Sequence, residues 1–270
     1  MSGAQPTADG ARPLRVFLTG ASSGIGQALA REYAAQGAQL GLVARRADAL
    51  EAFAADCAQR WPQASVMILP ADVCDAAAMQ AAARAYTARF GCPDVVIANA
   101  GISTGALTGC GDLDAFRAVM DTNYYGMVAT FEPFIDGMSM ARHGTLVGVA
   151  SVAGVRGLPG HGAYSASKAA ALRYLESLRV ELRPAGVDVV TIAPGYIRTP
   201  MTDGNPFPMP FLMDADRFAA KAARAIDRRR RFVVLPWQMR IVASLLHVMP
   251  RWLYDLAMQR APRKPRSPRT

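Results

Sequence analysis

The chain has little with which to hold a metal or to staple itself together. Its four cysteines, Cys57, Cys74, Cys92 and Cys110, form no C-x-x-C pair and have no histidine pair nearby, so neither a metal centre nor a disulfide framework is expected. Long apolar runs are missing too. Without about 18 uninterrupted apolar residues no membrane-spanning helix is predicted. The first 13 residues (MSGAQPTADGARP) are small and polar and read as a disordered lead-in, not a signal peptide. These absences point to a reducing cytoplasm. Acidic residues run short only at one end. Residues 1–216 hold 16 Lys/Arg against 19 Asp/Glu, and residues 217–270 hold 14 against 2, so the net charge of +9 comes from the C-terminal fifth.

What is present is enough apolar material for a large core: 51% of 270 residues, which fits one large α/β domain or two small ones. Leu14 to Leu18 (LRVFL) reads as a buried parallel strand and opens directly into Thr19-Gly20-Ala21-Ser22-Ser23-Gly24-Ile25-Gly26, after which Gln27 to Gln36 is helix-forming. A strand, a glycine-rich turn and a helix N-terminus together make an anion site, because glycines let backbone approach a pyrophosphate and free amides favour its charge. Gly20, Ser22, Ser23, Gly24, Ile25 and Gly26 are therefore candidates for holding a dinucleotide. A second predicted strand, Ala38 to Val43, ends in Ala44-Arg45-Arg46 with no acid before Asp48. An acid here would bond a ribose 2′-hydroxyl, whereas arginine suits a 2′-phosphate, so NADP(H) is favoured over NAD(H), with Arg45 the first choice of the two.

Further strands are predicted at Ser65 to Leu69, Pro93 to Ala98, Gly144 to Val149, Val187 to Ile192 and Phe232 to Leu235, the last at a sheet edge. Asp72-Val73 follows the third; the carboxylate can bond an adenine amino group or cap the helix that starts near Asp75. Asn99-Ala100-Gly101 follows the fourth and offers backbone for a cofactor to lie against. A helix is predicted over 112–136 with Asn123 inside it, a polar residue that needs a partner. Ser151 follows the fifth strand, and Tyr164 and Lys168 stand four apart on the next helix, on one face a turn apart. The alternation from 14 to 195 predicts a doubly wound, mostly parallel seven-stranded Rossmann-like sheet with helices on both faces and ligands at the strand C-terminal ends.

These motifs, Thr19-Gly20-x-x-x-Gly24-x-Gly26, Asp72, Asn99-Ala100-Gly101, Asn123, Ser151, Tyr164-x-x-x-Lys168, Pro194-Gly195 and Thr199, stand in the order and spacing of the short-chain dehydrogenase/reductase family, which the chain resembles from Leu14 to Pro236. The glycine pattern paired with Ala44-Arg45-Arg46 resembles its NADP-preferring branch. The resemblance implies a catalytic tetrad of Asn123, Ser151, Tyr164 and Lys168. Tyr164 would be the general acid or base, Ser151 would bond the same substrate oxygen, Lys168 would lower the tyrosine pKa and hold the nicotinamide ribose, and Asn123 would hold a relay water. It also extends the cofactor contacts to Pro194, Gly195, Ile197 and Thr199, and implies a homodimer or homotetramer.

After the sixth strand, residues 196–216 carry four prolines with methionines and phenylalanines and few charges. The segment is predicted to be irregular, and in the family this position is a substrate lid, which suggests an apolar or bulky carbonyl compound. Trp237 to Met258 shows a helical apolar period broken by Pro250, and reads as two short amphipathic helices in an extension over 237–259. A basic tail with three prolines, residues 260–270, is predicted disordered. Three readings fit this end: packing against the sheet or a partner subunit, peripheral attachment to anionic lipid through 237–270, or nucleic-acid binding, which no recognised module supports. The expected activity is NADP(H)-dependent interconversion of a carbonyl and a secondary alcohol. Its rivals are a non-catalytic NADP-binding scaffold and a membrane-peripheral reductase of a lipid-like ketone.

Overall fold

The computed structural model describes residues 12–205 and 208–259. The basic tail and all of the lead-in except Arg12 and Pro13 lie outside the described residues. Strands and helices alternate in the order β1 (Arg15–Thr19), α1 (Gly24–Ala35), β2 (Gln39–Ala44), α2 (Ala47–Arg60), β3 (Ser65–Pro70), α3 (Ala76–Phe90) and β4 (Val95–Ala98). Then come α4 (Leu113–Met120), α5 (Gly126–Ala141), β5 (Thr145–Val149), α6 (Gly162–Leu182) and β6 (Asp188–Pro194). The chain continues through β7 (Ile197–Arg198), α7 (Pro200–Asp203), β8 (Met213–Asp214), α8 (Ala215–Asp227), β9 (Phe232–Leu235), α9 (Trp237–Val248) and α10 (Arg251–Met258).

Seven strands form one sheet in the order β3-β2-β1-β4-β5-β6-β9, every pair parallel, as the Rossmann-like prediction requires. Side chains alternate between its faces because the strand period is two. Val16 and Leu18 of β1 join α1, α2 and α8 in one core, while Phe17 between them joins α3, α5 and α6 in the other. The order reverses between β1 and β4, so the loops after these neighbouring strands part and leave a crevice at the strand C-terminal ends.

Three differences from the sequence expectations matter for the site. First, α1 begins at Gly24 and not near Gln27, which makes the glycine segment itself the helix N-terminus. Second, the long helix predicted over 112–136 is interrupted by a π-helical turn over Asp121–Tyr125, and its second half runs on to Ala141. Such turns insert one residue into the α ladder and redirect the side chains around it. Third, the segment 196–216 is not wholly irregular: β7 pairs with β8 through Ile197 with Met213 and Arg198 with Asp214, and α7 lies between them. Thr202 holds that turn by donating from its hydroxyl to Ile197 O at 2.7 Å while accepting from Thr199 N at 3.0 Å.

At the opposite end of the sheet, Asp94 gathers cations. Arg12 donates to both its carboxylate oxygens at 2.6 and 2.7 Å, and the Arg15 backbone N–H adds a third bond at 2.9 Å. Burial alone would raise the Asp94 pKa, but the bonds from Arg12 and Arg15 outweigh it and hold the carboxyl well below the usual carboxylate range. Arg12, assigned from sequence to the lead-in, thus belongs to the folded domain.

Candidate functional site

The crevice between β1 and β4 opens into a cavity of about 410 Å³ on the strand C-terminal rim. Its floor is the turn after β1. Gly20 adopts φ +69° and Gly24 φ +55°, the left-handed region where a side chain is strained. A Cβ on Gly26 would stand 2.1 Å from Gly20 O, so Gly26 is there for lack of space and does not itself line the cavity. Asn99 fixes the turn from the β4 side: its amide donates to Thr19 O at 3.1 Å and Gly20 O at 3.3 Å. Hence the Asn99 side chain braces the loop. Ser22, Ser23, Gly24 and Ile25 line the cavity at the start of α1. Asp75 caps α3 by accepting from Ala78 N at 3.0 Å, whereas α1 has no side-chain cap and no acid in its first turn. Its first amides are thus free for an anion.

Beside this turn, β2 delivers the two arginines. Arg46 donates to Ser22 O at 3.2 Å and Ser22 Oγ at 3.1 Å, tying it to the phosphate-type turn, while exposed Arg45 lies 3.7 Å from Asp72 Oδ2. Both line the cavity, and it is Arg46, the second choice from sequence, that reaches the turn. Asp72 accepts from Cys74 N at 3.0 Å, and the capping role near α3 belongs to Asp75 instead. Val73, Ala100 and Gly101 complete this wall.

Across the cavity, Ser151 starts a 3₁₀ turn after β5 and accepts from Ala153 N at 3.1 Å. The Ser151 hydroxyl donates to Pro194 O at 3.5 Å and lies close enough to the Tyr164 phenol to act on its titration. Burial raises the Tyr164 pKa and the nearby Ser151 hydroxyl partly offsets it, so the net shift is upward. Lys168 Nζ donates to Val149 O at 2.9 Å and stands 5.9 Å from the Tyr164 ring centroid. The ammonium is itself buried, which lowers its pKa to about 8. A buried cation with one carbonyl partner retains donors to offer a ligand.

Asn123 is fully buried in the π turn and does not line the cavity. Its carbonyl accepts from Ile102 N at 2.8 Å; its amide donates to Ile102 O and to Ser167 Oγ, both at 3.0 Å. Ser167 in turn donates to Tyr164 O at 2.8 Å. Asn123 therefore ties the loop after β4 to the helix of Tyr164 and Lys168, behind the cavity wall. Pro194, Gly195, Ile197 and Thr199 form the remaining side, with Pro200, Met201 and Thr202 over the mouth. Sequence reasoning missed Ile102, Thr122, Val149 and Ala150, although each stands within two residues of a motif residue; Pro200 to Thr202 fell within the segment named only as a whole.

The cleft fits a dinucleotide: an uncapped helix start, a glycine turn without room for side chains, and arginines at the end of β2. Comparison with known proteins agrees with this architecture. Residues 15–206 match the family model for short chain dehydrogenase. A protein from Myxococcus xanthus described as an uncharacterized oxidoreductase is 40% identical over 248 residues, covering 90% of this chain and 96% of its own. Among solved structures, a short-chain dehydrogenase/reductase from Burkholderia phymatum in complex with NAD superposes with a TM-score of 0.79 at 26% identity, covering 94% of this chain and 98% of its own. One from Sphingobium yanoikuyae in complex with NADPH does so with 0.75 at 28%, covering 92% and 94%. The chain belongs to the short-chain dehydrogenase family and is an oxidoreductase of that type.

Proposed function

We propose that the protein is an NADP(H)-dependent oxidoreductase that reduces a carbonyl to a secondary alcohol, or runs the reverse, on an apolar or bulky substrate. The observation that carries this reading is the meeting of two half-sites on one cavity: Tyr164 and Ser151 beside buried Lys168 on one side, and Arg46 over the glycine turn on the other. When bound, the nicotinamide supplies hydride transfer to or from the substrate carbon. The chain supplies the rest. Gly20, Ser22, Ser23, Gly24 and Ile25 hold the pyrophosphate, with Gly26 allowing α1 to start close by. Arg45 and Arg46 hold the 2′-phosphate, Asp72 and Val73 the adenine, and Asn99, Ala100, Gly101, Pro194, Gly195, Ile197 and Thr199 shape the nicotinamide side.

Tyr164 donates its hydroxyl proton to the substrate oxygen, which Ser151 fixes by a second hydrogen bond. Lys168 holds the ribose hydroxyls and keeps a positive charge beside the phenol, favouring the tyrosinate left behind. Asn123 acts through others: by holding Ile102 and Ser167 it sets the place of α6 and of the loop carbonyl where a relay water would bind. Ile102, Pro200 and Met201 give the cavity an apolar side that suits an apolar ketone. The four cysteines, none of them in a disulfide, fit a reducing cytoplasm. Assembly as a dimer or tetramer completes the proposal.

Titration with NADPH and NADH tests the cofactor. NADPH is expected to bind at least about tenfold tighter, with Arg46→Ala removing most of that preference and leaving NADH unchanged. Equal affinities in the parent chain would overturn the assignment. A Tyr164→Phe variant tests catalysis: ketone reduction should fall by about 10³-fold with NADPH affinity kept. The rival reading, a scaffold that binds NADP without turnover, gains only if the parent chain turns over nothing in a broad ketone panel. The remaining rival, a reductase working at a membrane, turns on the outer surface of α9 and α10, since among the described residues no helix is long and apolar enough to cross one.

A further inference from the structure

Helices α9 and α10 are firmly seated on one side only. Met239 and Ala243 of α9 are buried, and Met239 packs with Ala193 and Val234 beside Gly195, where a Cβ would come within 2.5 Å of Met239 Cγ. In α10, Tyr254 donates to Gly157 O with its ring 4.6 Å from the Arg156 guanidinium, and Arg156 donates to Met249 O at 3.1 Å. The opposite side is apolar and bare. Trp237, Ile241, Leu245, Val248, Trp252 and Leu256 recur every three or four residues through both helices, each between 58% and 73% exposed. The stripe continues toward the lid, where exposed Phe211 and Trp237 border the same small cleft. A helix pair that already has a core side gains nothing in water from a second apolar side.

The charge around the stripe selects its occupant. From Arg228 to Met258 there are six arginines against one acid, Asp255; Arg229 pairs with Asp188 at 3.1 Å, while Arg240 and Arg251 make no ion pair among the described residues. The sequence beyond α10 adds five Lys/Arg in residues 260–270, again without an acid. A second copy docking by a two-fold axis would set this basic surface against itself, with Asp255 the one acid that α9 and α10 hold. An anionic bilayer offers both requirements, an apolar layer for the stripe and negative headgroups for the arginines, with tryptophans at the boundary. We propose that the outer face of α9 and α10 docks on the surface of an anionic membrane without spanning it. This surface is independent of the reaction proposed above.

Cosedimentation of the full chain with phosphatidylcholine vesicles, with and without phosphatidylglycerol, tests it. Partition onto the anionic vesicles should be at least about tenfold stronger and should weaken in high salt. Ile241→Ser/Leu245→Ser and Arg240→Glu/Arg251→Glu, all exposed positions, should each cut it by at least about tenfold with the thermal midpoint kept. No cosedimentation, or equal partition onto both vesicles, overturns the proposal. So does a dimer, seen by sedimentation velocity without vesicles, that Ile241→Ser/Leu245→Ser dissociates, because the stripe would then be a subunit interface. NADPH titration of the same samples reports separately on the cofactor reading.

Discussion

Lys168 carries its ammonium into a nearly waterless position, with Val149 O as the acceptor, and burial lowers its pKa from 10.5 to about 8. Below pH 8 folded and unfolded chains both hold the proton, and the folded state bears the cost of a buried charge. Between about 8 and 10.5 the unfolded chain binds more protons, so this group makes stability rise with pH. Lys168→Met is therefore expected to stabilise the ligand-free fold at pH 7 by about 2 kcal/mol, the gain shrinking by pH 10, while removing activity. Urea unfolding at the two pH values reads both; a destabilised Lys168→Met at pH 7 would show that the ammonium is well solvated. The four-residue spacing of Tyr164 and Lys168 was legible in the sequence because helix geometry alone places them together. Their separation from Ser151 was legible only as a motif, and the choice between Arg45 and Arg46 was not legible at all, since adjacent residues leave a strand end in different directions.

At the scale of the element, the π turn shows where sequence reading stops. A long apolar stretch over 112–136 predicts one helix, and no period reveals that Asn123 must reach Ile102, 21 residues away, and Ser167, 44 away. Those partners come together only after β4, α5 and α6 have packed. Asn123→Ala leaves the Ile102 N–H and carbonyl without their side-chain partner and takes one of two hydrogen bonds from the Ser167 hydroxyl, which should cost about 3 kcal/mol. Faster hydrogen exchange at the Ile102 amide would locate the loss there; unchanged exchange would show that water replaces the side chain. The segment 196–216 shows the same more mildly. Its apolar, proline-rich composition was readable, but the β7–β8 pairing spans 16 positions and depends on Thr202 closing the turn between. The paired amphipathic helices broken at Pro250 were legible because their period is local.

Across the whole molecule, a seven-stranded parallel sheet with helices on both faces followed from alternating apolar strands and helices, so the fold was the most readable level and its outer surface the least. The Asp94 cluster was invisible in sequence, for Arg12 lies 82 residues from its partner. Its carboxyl pKa is depressed, so its stabilisation is complete above the ordinary carboxylate pKa and is lost as pH falls through that range toward the folded value. Asp94→Asn should cost about 2 kcal/mol at pH 7, with the difference from the parent chain vanishing in strong acid. Denaturant titrations across that window measure it, and a pH-independent difference would assign the effect to shape and not to charge.

Asp94 and Asn99 bracket β4, four residues that span roughly 13 Å. The ion cluster that fastens the chain is thus held away from the rim where ligands would sit. At that separation free-energy changes at the two ends are expected to add. Selection can then rebuild the mouth around Met201 and Ile102 for a new substrate while drawing on a reserve of stability kept at the other end of the same strand. A stronger Asp94 cluster, engineered first, would widen the set of rim variants that still fold.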